Sequence, residues 1–173
     1  GQEGSDEVDR YHLERGGQIL VQFLYQTVKE ILSTGRIGTP VFVRCVVQIG
    51  AGDGHLIDPL ARMLMITGLW LEATPFRIYA QSRYGLMQIT ASVQYTGGQT
   101  AIVSVSAAPG VSPRVDLMVL GNKGALYQDG TSLPPGFDMA FEPVAIPEWL
   151  IDALERSLLA GKPTVIEEVT DFE

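Results

Sequence analysis

The sequence holds a single cysteine, Cys45, and it lies inside an apolar run. One thiol closes no disulfide within the chain, so the fold has to be held by packing, and such usage fits a reducing compartment with the cytoplasm as the default expectation. A lone cysteine among apolar neighbours reads as a small hydrophobic residue. Histidine is almost as scarce, with only His12 and His55. Without a cysteine cluster beside them, two distant imidazoles offer no ligand set for a metal. Basic residues are few and scattered, 12 against 20 acidic ones, for a formal net charge of −8. That balance disfavours nucleic acid, whose phosphates call for a clustered cationic surface. No apolar run approaches the roughly 18 residues of a membrane span. The first ten residues, GQEGSDEVDR, are acidic and polar, unlike a secretory signal.

What is present suits a globular domain. Hydrophobic residues make up 46% of 173, and a chain of this size buries about 70% of its unfolded surface. Residues 1–17 read as an acidic, flexible lead-in, and 18–173 as one domain. The apolar stretch QILVQFL (18–24) is strand-compatible. The spacing of Val28, Ile31 and Leu32 then predicts a helix over about 24–34, stopped by Gly35. VFVRCVVQ (41–48), rich in β-branched residues, predicts a strand. After a glycine-rich turn, Leu56, Leu60, Met63, Leu64 and Thr67 fall on one stripe of a helix that Gly68 is expected to end.

A β-rich block follows: FRIYAQSR (76–83), MQITASVQY (87–95), TAIVSVSA (100–107), RVDLMVL (114–120) and ALYQDG (125–130). Short links between them predict antiparallel neighbours and hence one continuous meander, since a parallel pair needs a long crossover. Alternation divides the faces. Met87, Ile89, Ala91, Val93 and Tyr95 share one side with Ala101, Val103 and Val105, which helices should cover. Gln88, Thr90, Ser92, Gln94, Ile102, Ser104 and Ser106 share the other, a largely polar face suited to a partner or a polar ligand. LPPGFDMAFEP (133–143) reads as irregular. A last helix follows Pro147, with Trp149, Leu150, Ala153, Leu154 and Leu158 on one face and Gly161 as its stop.

The glycine turn after the 41–48 strand, VVQIGAGDGHL (46–56), invites a cofactor reading. A dinucleotide fingerprint wants G-x-G-x-x-G, and His55 occupies the third glycine's place. G-x-G-x-G fits a small S-adenosylmethionine-dependent methyltransferase better. Both readings need strands alternating with helices in a doubly wound parallel sheet, and five strands here follow one another with no helix between them. Glycine also serves a sharp reversal, where positive φ is needed.

Three stretches in order carry a family resemblance. TVKEILSTGRIGTPVFVR (27–44) is similar to a helix, S-G-x-I-G-x-P and an apolar strand. GDGHLIDPLARMLMITG (52–68) is similar to G-x-H-x-x-D followed by an apolar helix. LMVLGNKGALYQDG (117–130) and WLIDALERSLLAGKPTVIEEV (149–169) are similar to a strand–G-x-x-G–strand turn and a last helix closing in S-x-x-x-G-K-P. Together they resemble the C-terminal domain of the glucose–fructose oxidoreductase / inositol dehydrogenase / rhizopine catabolism (Gfo/Idh/MocA) family, across about residues 19–169.

The resemblance implies an α+β fold: an open, mainly antiparallel sheet with helices packed on one face, like the C-terminal domains of dihydrodipicolinate reductase and glyceraldehyde-3-phosphate dehydrogenase. It implies no cofactor site in this chain, and NAD or NADP held by a Rossmann domain in cis in a full-length parent. It implies a small-molecule substrate, a sugar or polyol, and a homodimer formed through the sheet face. His55 matches the family's acid/base histidine and Asp58 the later aspartate. Ala51 stands where many members carry an aspartate four residues before the histidine, and the stretch leading to His55 is short. Both departures favour the alternative of a standalone, non-catalytic binding or assembly module.

Each candidate also has a plain reading. His55 lines a substrate site or packs at a helix start. Asp58 before Pro59 is a fitting helix N-cap. Tyr79 and Gln81 are expected on the polar sheet face with Arg83, Gln88 and Gln94, against substrate or partner. Asp53 belongs to turn chemistry, and Lys123 and His12 to solvent.

Overall fold

A computed structural model describes residues 25–50, 55–83, 87–110, 114–132 and 145–166, with the side chains of 129–132 excepted. The lead-in, the 18–24 stretch, the loop over 133–143, and Ala51 and Asp53 lie outside the described residues.

A helix, α1, covers residues 25–33. It is followed by β1 (Pro40–Ile49), α2 (Ile57–Leu71), β2 (Pro75–Arg83), β3 (Gln88–Tyr95), β4 (Thr100–Ala107), β5 (Arg114–Gly121), β6 (Ala125–Ser132), α3 (Glu148–Ala160) and the two-residue β7 (Thr164–Val165). The strands form one 7-stranded sheet in the order β6-β5-β1-β4-β3-β2-β7. This is the expected α+β architecture.

The expected unbroken meander is corrected. β1 lies between β4 and β5, parallel to the first and antiparallel to the second. Gln48 faces Ser106 on one side and Arg114 on the other. The link over 108–113 therefore crosses two strand spacings, about 10 Å, which six residues span easily. The parallel pair is closed by the long path through α2, β2 and β3, as such pairs require. The apolar run of β1 supplies the reason for its central place. Val43, Cys45 and Val47 are each 0% exposed, a degree of burial that an edge strand does not provide.

The two faces follow the alternation, except that Met87, which precedes β3, is 45% exposed. Ile89, Ala91, Val93 and Tyr95 of β3 and Ala101, Val103 and Val105 of β4 are buried in one core with Leu60 and Leu64 of α2 and Leu150 and Leu154 of α3. Leu56, Leu60, Met63, Leu64 and Thr67 are all buried as the stripe predicts. Gly68 does not end α2, because Trp70 and Leu71 continue the buried stripe. The stop comes at Glu72, in the left-handed conformation at φ 50°.

Two glycine motifs join distant parts of the chain. The turn after α1 carries Gly38 at φ +75°. It docks on the β5–β6 hairpin, where Asn122 N–H donates to Thr39 C=O at 3.0 Å and Asn122 Oδ1 accepts from Thr39 N–H at 2.9 Å. A Cβ on Gly121 would overlap the Ile37 carbonyl, so only glycine lets the two backbones approach.

Candidate functional site

The strand register collects one end of the sheet. Ile49 at the end of β1 faces Ala107 at the end of β4, and Arg83 at the end of β2 faces Gln88 at the start of β3. Arg83, Gln88, Ser106, Gln48 and Arg114 therefore form a polar row across this end of the open face. His55 follows the chain's exit from β1 and precedes α2. It is exposed, as is Asp58. Sequence reasoning passed over Gln48 and Arg114, since only the placement of β1 between β4 and β5 brings them into the row.

Asp58 is not the N-cap. Leu56 holds that position at φ −81° and ψ −15°, without a side-chain cap, and Leu60 N–H donates to Leu56 C=O at 3.0 Å. The helix is thus already under way at Asp58, whose carboxylate stands in the first turn beside the positive end of the helix dipole. Pro59 is tolerated there because first-turn N–H groups have no partner within the helix. Neither His55 nor Asp58 makes a side-chain hydrogen bond or ion pair with any described residue.

Tyr79 and Gln81 lie elsewhere. Both project from β2 on the open face, since Ile78 and Ala80 between them are buried. Gln81 Nε2 donates to the Tyr79 hydroxyl at 2.9 Å. Tyr79 faces Ser92, and Gln81 faces Thr90. Thr90 and Ser104 hydroxyls are 2.9 Å apart, and Gln88 Nε2 donates to Ser104 at 3.3 Å. The structure thus joins Tyr79 to Gln81 on the face opposite α2, and does not join that pair to His55 and Asp58.

The open face is more charged than β3 and β4 alone suggested. Arg44, Arg77, Arg83 and Arg114 share it, and Arg114 pairs with Asp116 at 3.4 Å. Beside them, Phe42, Val46, Met118, Leu120 and Tyr127 place apolar surface on the β1–β5–β6 half. Tyr127 is 68% exposed.

Cys45 is fully buried on the covered side. Burial, with the Asp116 carboxylate adding to it, pushes its thiol from 9.0 up to about 12. It is a packed, protonated group. Among the described residues no cluster of His, Cys, Asp or Glu could hold a metal ion, and no helix is long and apolar enough to cross a membrane.

No protein-family model matches the sequence, and no curated protein matches it. Solved structures do match in fold. One is scyllo-inositol dehydrogenase from Lactobacillus casei with bound NAD(H) and scyllo-inositol, at TM-score 0.66 and 12% identity over 87% of this chain and 64% of that one. A second is myo-inositol dehydrogenase from Lactobacillus casei in complex with NAD(H) and myo-inositol, at TM-score 0.60 and 13% identity over 93% and 61%. A third is myo-inositol 2-dehydrogenase from Lactobacillus plantarum, at TM-score 0.61 and 14% identity over 83% and 61%. The fold expected from the Gfo/Idh/MocA resemblance is therefore the one observed, and this chain spans less than two thirds of each dehydrogenase.

Proposed function

We propose that this chain is the substrate-binding and assembly domain of an NAD- or NADP-dependent oxidoreductase acting on a sugar- or polyol-like substrate. Residues 18–173 form that domain, and a Rossmann domain in cis supplies the nucleotide. The observation that carries the reading is the fold shared with dehydrogenases whose structures hold NAD(H) and an inositol. Chemistry would fall at the sheet end where β1 delivers the chain to His55. The exposed imidazole of His55 can take the proton of a substrate hydroxyl, and a nicotinamide held by the Rossmann domain would accept the hydride. Asp58, three residues on in the first turn of α2, is the group proposed to orient that imidazole. Tyr79 and Gln81, on the other face, suit contact with substrate or with a second subunit.

The open face supports self-association. Its apolar half, Phe42, Val46, Met118, Leu120 and Tyr127, is flanked by polar strands, a composition suited to a twofold interface. The second reading, a non-catalytic binding or assembly module, draws on Ala51 in place of the family's aspartate. Titration of the isolated chain with a polyol panel including myo-inositol separates the two. Saturable binding weakened by His55→Ala supports a substrate site. Absence of polyol binding, with a dimer by light scattering that Met118→Glu disrupts, favours the assembly module.

A further inference from the structure

A cleft of about 540 Å³ opens at the other end of the sheet, between α1, the end of α2 and the start of α3. None of His55, Asp58, Tyr79 or Gln81 lines it. Leu64, Ile78, Val93 and Leu150 give it an apolar floor, and Trp149 lines it too. Volumes of about 300–1,000 Å³ with apolar walls and a few polar groups are typical of small-molecule sites.

The polar group that marks this cleft is Tyr95. It lines the cleft, it is 1% exposed, and its hydroxyl makes no hydrogen bond with any described residue. Buried phenols almost always find a partner. The oxygen is also not sealed in. Among the described residues the only enclosed side-chain oxygen or nitrogen lacking a partner is Gln99 Oε1, and Tyr95 lines the cleft. Desolvation raises its pKa well above the usual phenol value, and it stays a protonated donor through the physiological range.

We infer that this cleft binds a small, mostly apolar molecule bearing one hydrogen-bonding oxygen, which it presents to the Tyr95 hydroxyl. An apolar body matches the floor, and its oxygen matches the unpaired Tyr95 hydroxyl, while Lys29, Glu72 and Thr74 also line the cleft. The site is separate from the His55 end and does not depend on the oxidoreductase reading.

The test is calorimetric titration of the whole chain with 2-naphthol, together with saturation-transfer NMR on the probe. Binding should saturate at one molecule per chain. Tyr95→Phe should weaken it roughly five- to tenfold, the worth of one hydrogen bond. Thr74→Phe, at an exposed lining position, should abolish it by filling the mouth. Without probe, Tyr95→Phe should melt no lower than the parent, because the lost hydroxyl leaves no protein group unpaired. No saturable binding to a folded chain, or binding that neither substitution changes, would overturn the inference. So would a Tyr95→Phe protein clearly less stable than the parent, which would give the hydroxyl a structural role.

Discussion

Ser157 Oγ accepts the backbone N–H of Ala80 at 2.9 Å and donates to the Lys162 carbonyl at 2.8 Å. One buried hydroxyl thus ties α3 to β2 and to its own C-terminal turn. β7 pairs with Arg77 and Ile78 only, so the N–H of Ala80 lies beyond its reach and needs another acceptor. Ser157→Ala leaves the buried Ala80 N–H unpaired and releases the Lys162 carbonyl, and should cost about 1–3 kcal/mol. Urea unfolding followed by far-UV circular dichroism measures it, and a change below about 0.5 kcal/mol would remove the clasp from the account.

Glycines at close approaches and a residue in a glycine-like conformation make opposite predictions. Gly121→Ala drives a Cβ into the Ile37 carbonyl, and overpacking against backbone should cost about 1–3 kcal/mol. Glu72 sits at φ 50°, where a side chain costs about 1–2 kcal/mol. Glu72→Gly should therefore stabilise the chain by about 1 kcal/mol. Thermal melts of the two variants should move in opposite directions.

Cys45 should be inert. With its thiol held at about 12 by burial and by Asp116, the folded chain should resist a thiol reagent at pH 8 and react fully once denatured. The linkage to stability has a definite sign. The folded pKa exceeds the ordinary 9.0, so the folded state keeps a proton that the unfolded state loses. The stabilisation is whole below pH 9 and fades as pH rises from there towards 12. Tyr95 adds a loss of the same sign at higher pH. Melting temperature against pH should fall less steeply above pH 9 in Cys45→Ala than in the parent.

Much of this fold was legible because burial writes itself into alternation. The parity of β3 and β4, the stripe of α2 and the stop at Gly161 all follow from residue type. The position of β1 did not, because an apolar strand says that it is central without saying which strands flank it. The six-residue link over 108–113 also suits a crossing as well as a hairpin. β7 was missed because two residues, Thr164 and Val165, carry no period. The family-like motifs proved most informative about structure. Gly38 and Gly121 serve a backbone contact, and Ser157 of S-x-x-x-G-K-P serves the clasp on β2. The candidate site was legible only in part. Tyr79 and Gln81 were placed on the right face, but residues far apart in sequence, such as Gln48 and Arg114, become neighbours only through a topology the pattern does not encode.

We propose that this chain contributes a polyol-binding surface and that the nucleotide is held outside it. Isothermal titration of the purified chain with myo-inositol, NADH and S-adenosylmethionine, each repeated on His55→Ala, tests it most directly. The account predicts saturable polyol binding that weakens at least tenfold in the variant and no heat of binding for either nucleotide cofactor. Saturable binding of S-adenosylmethionine or NADH, with no response to the polyol, would contradict it.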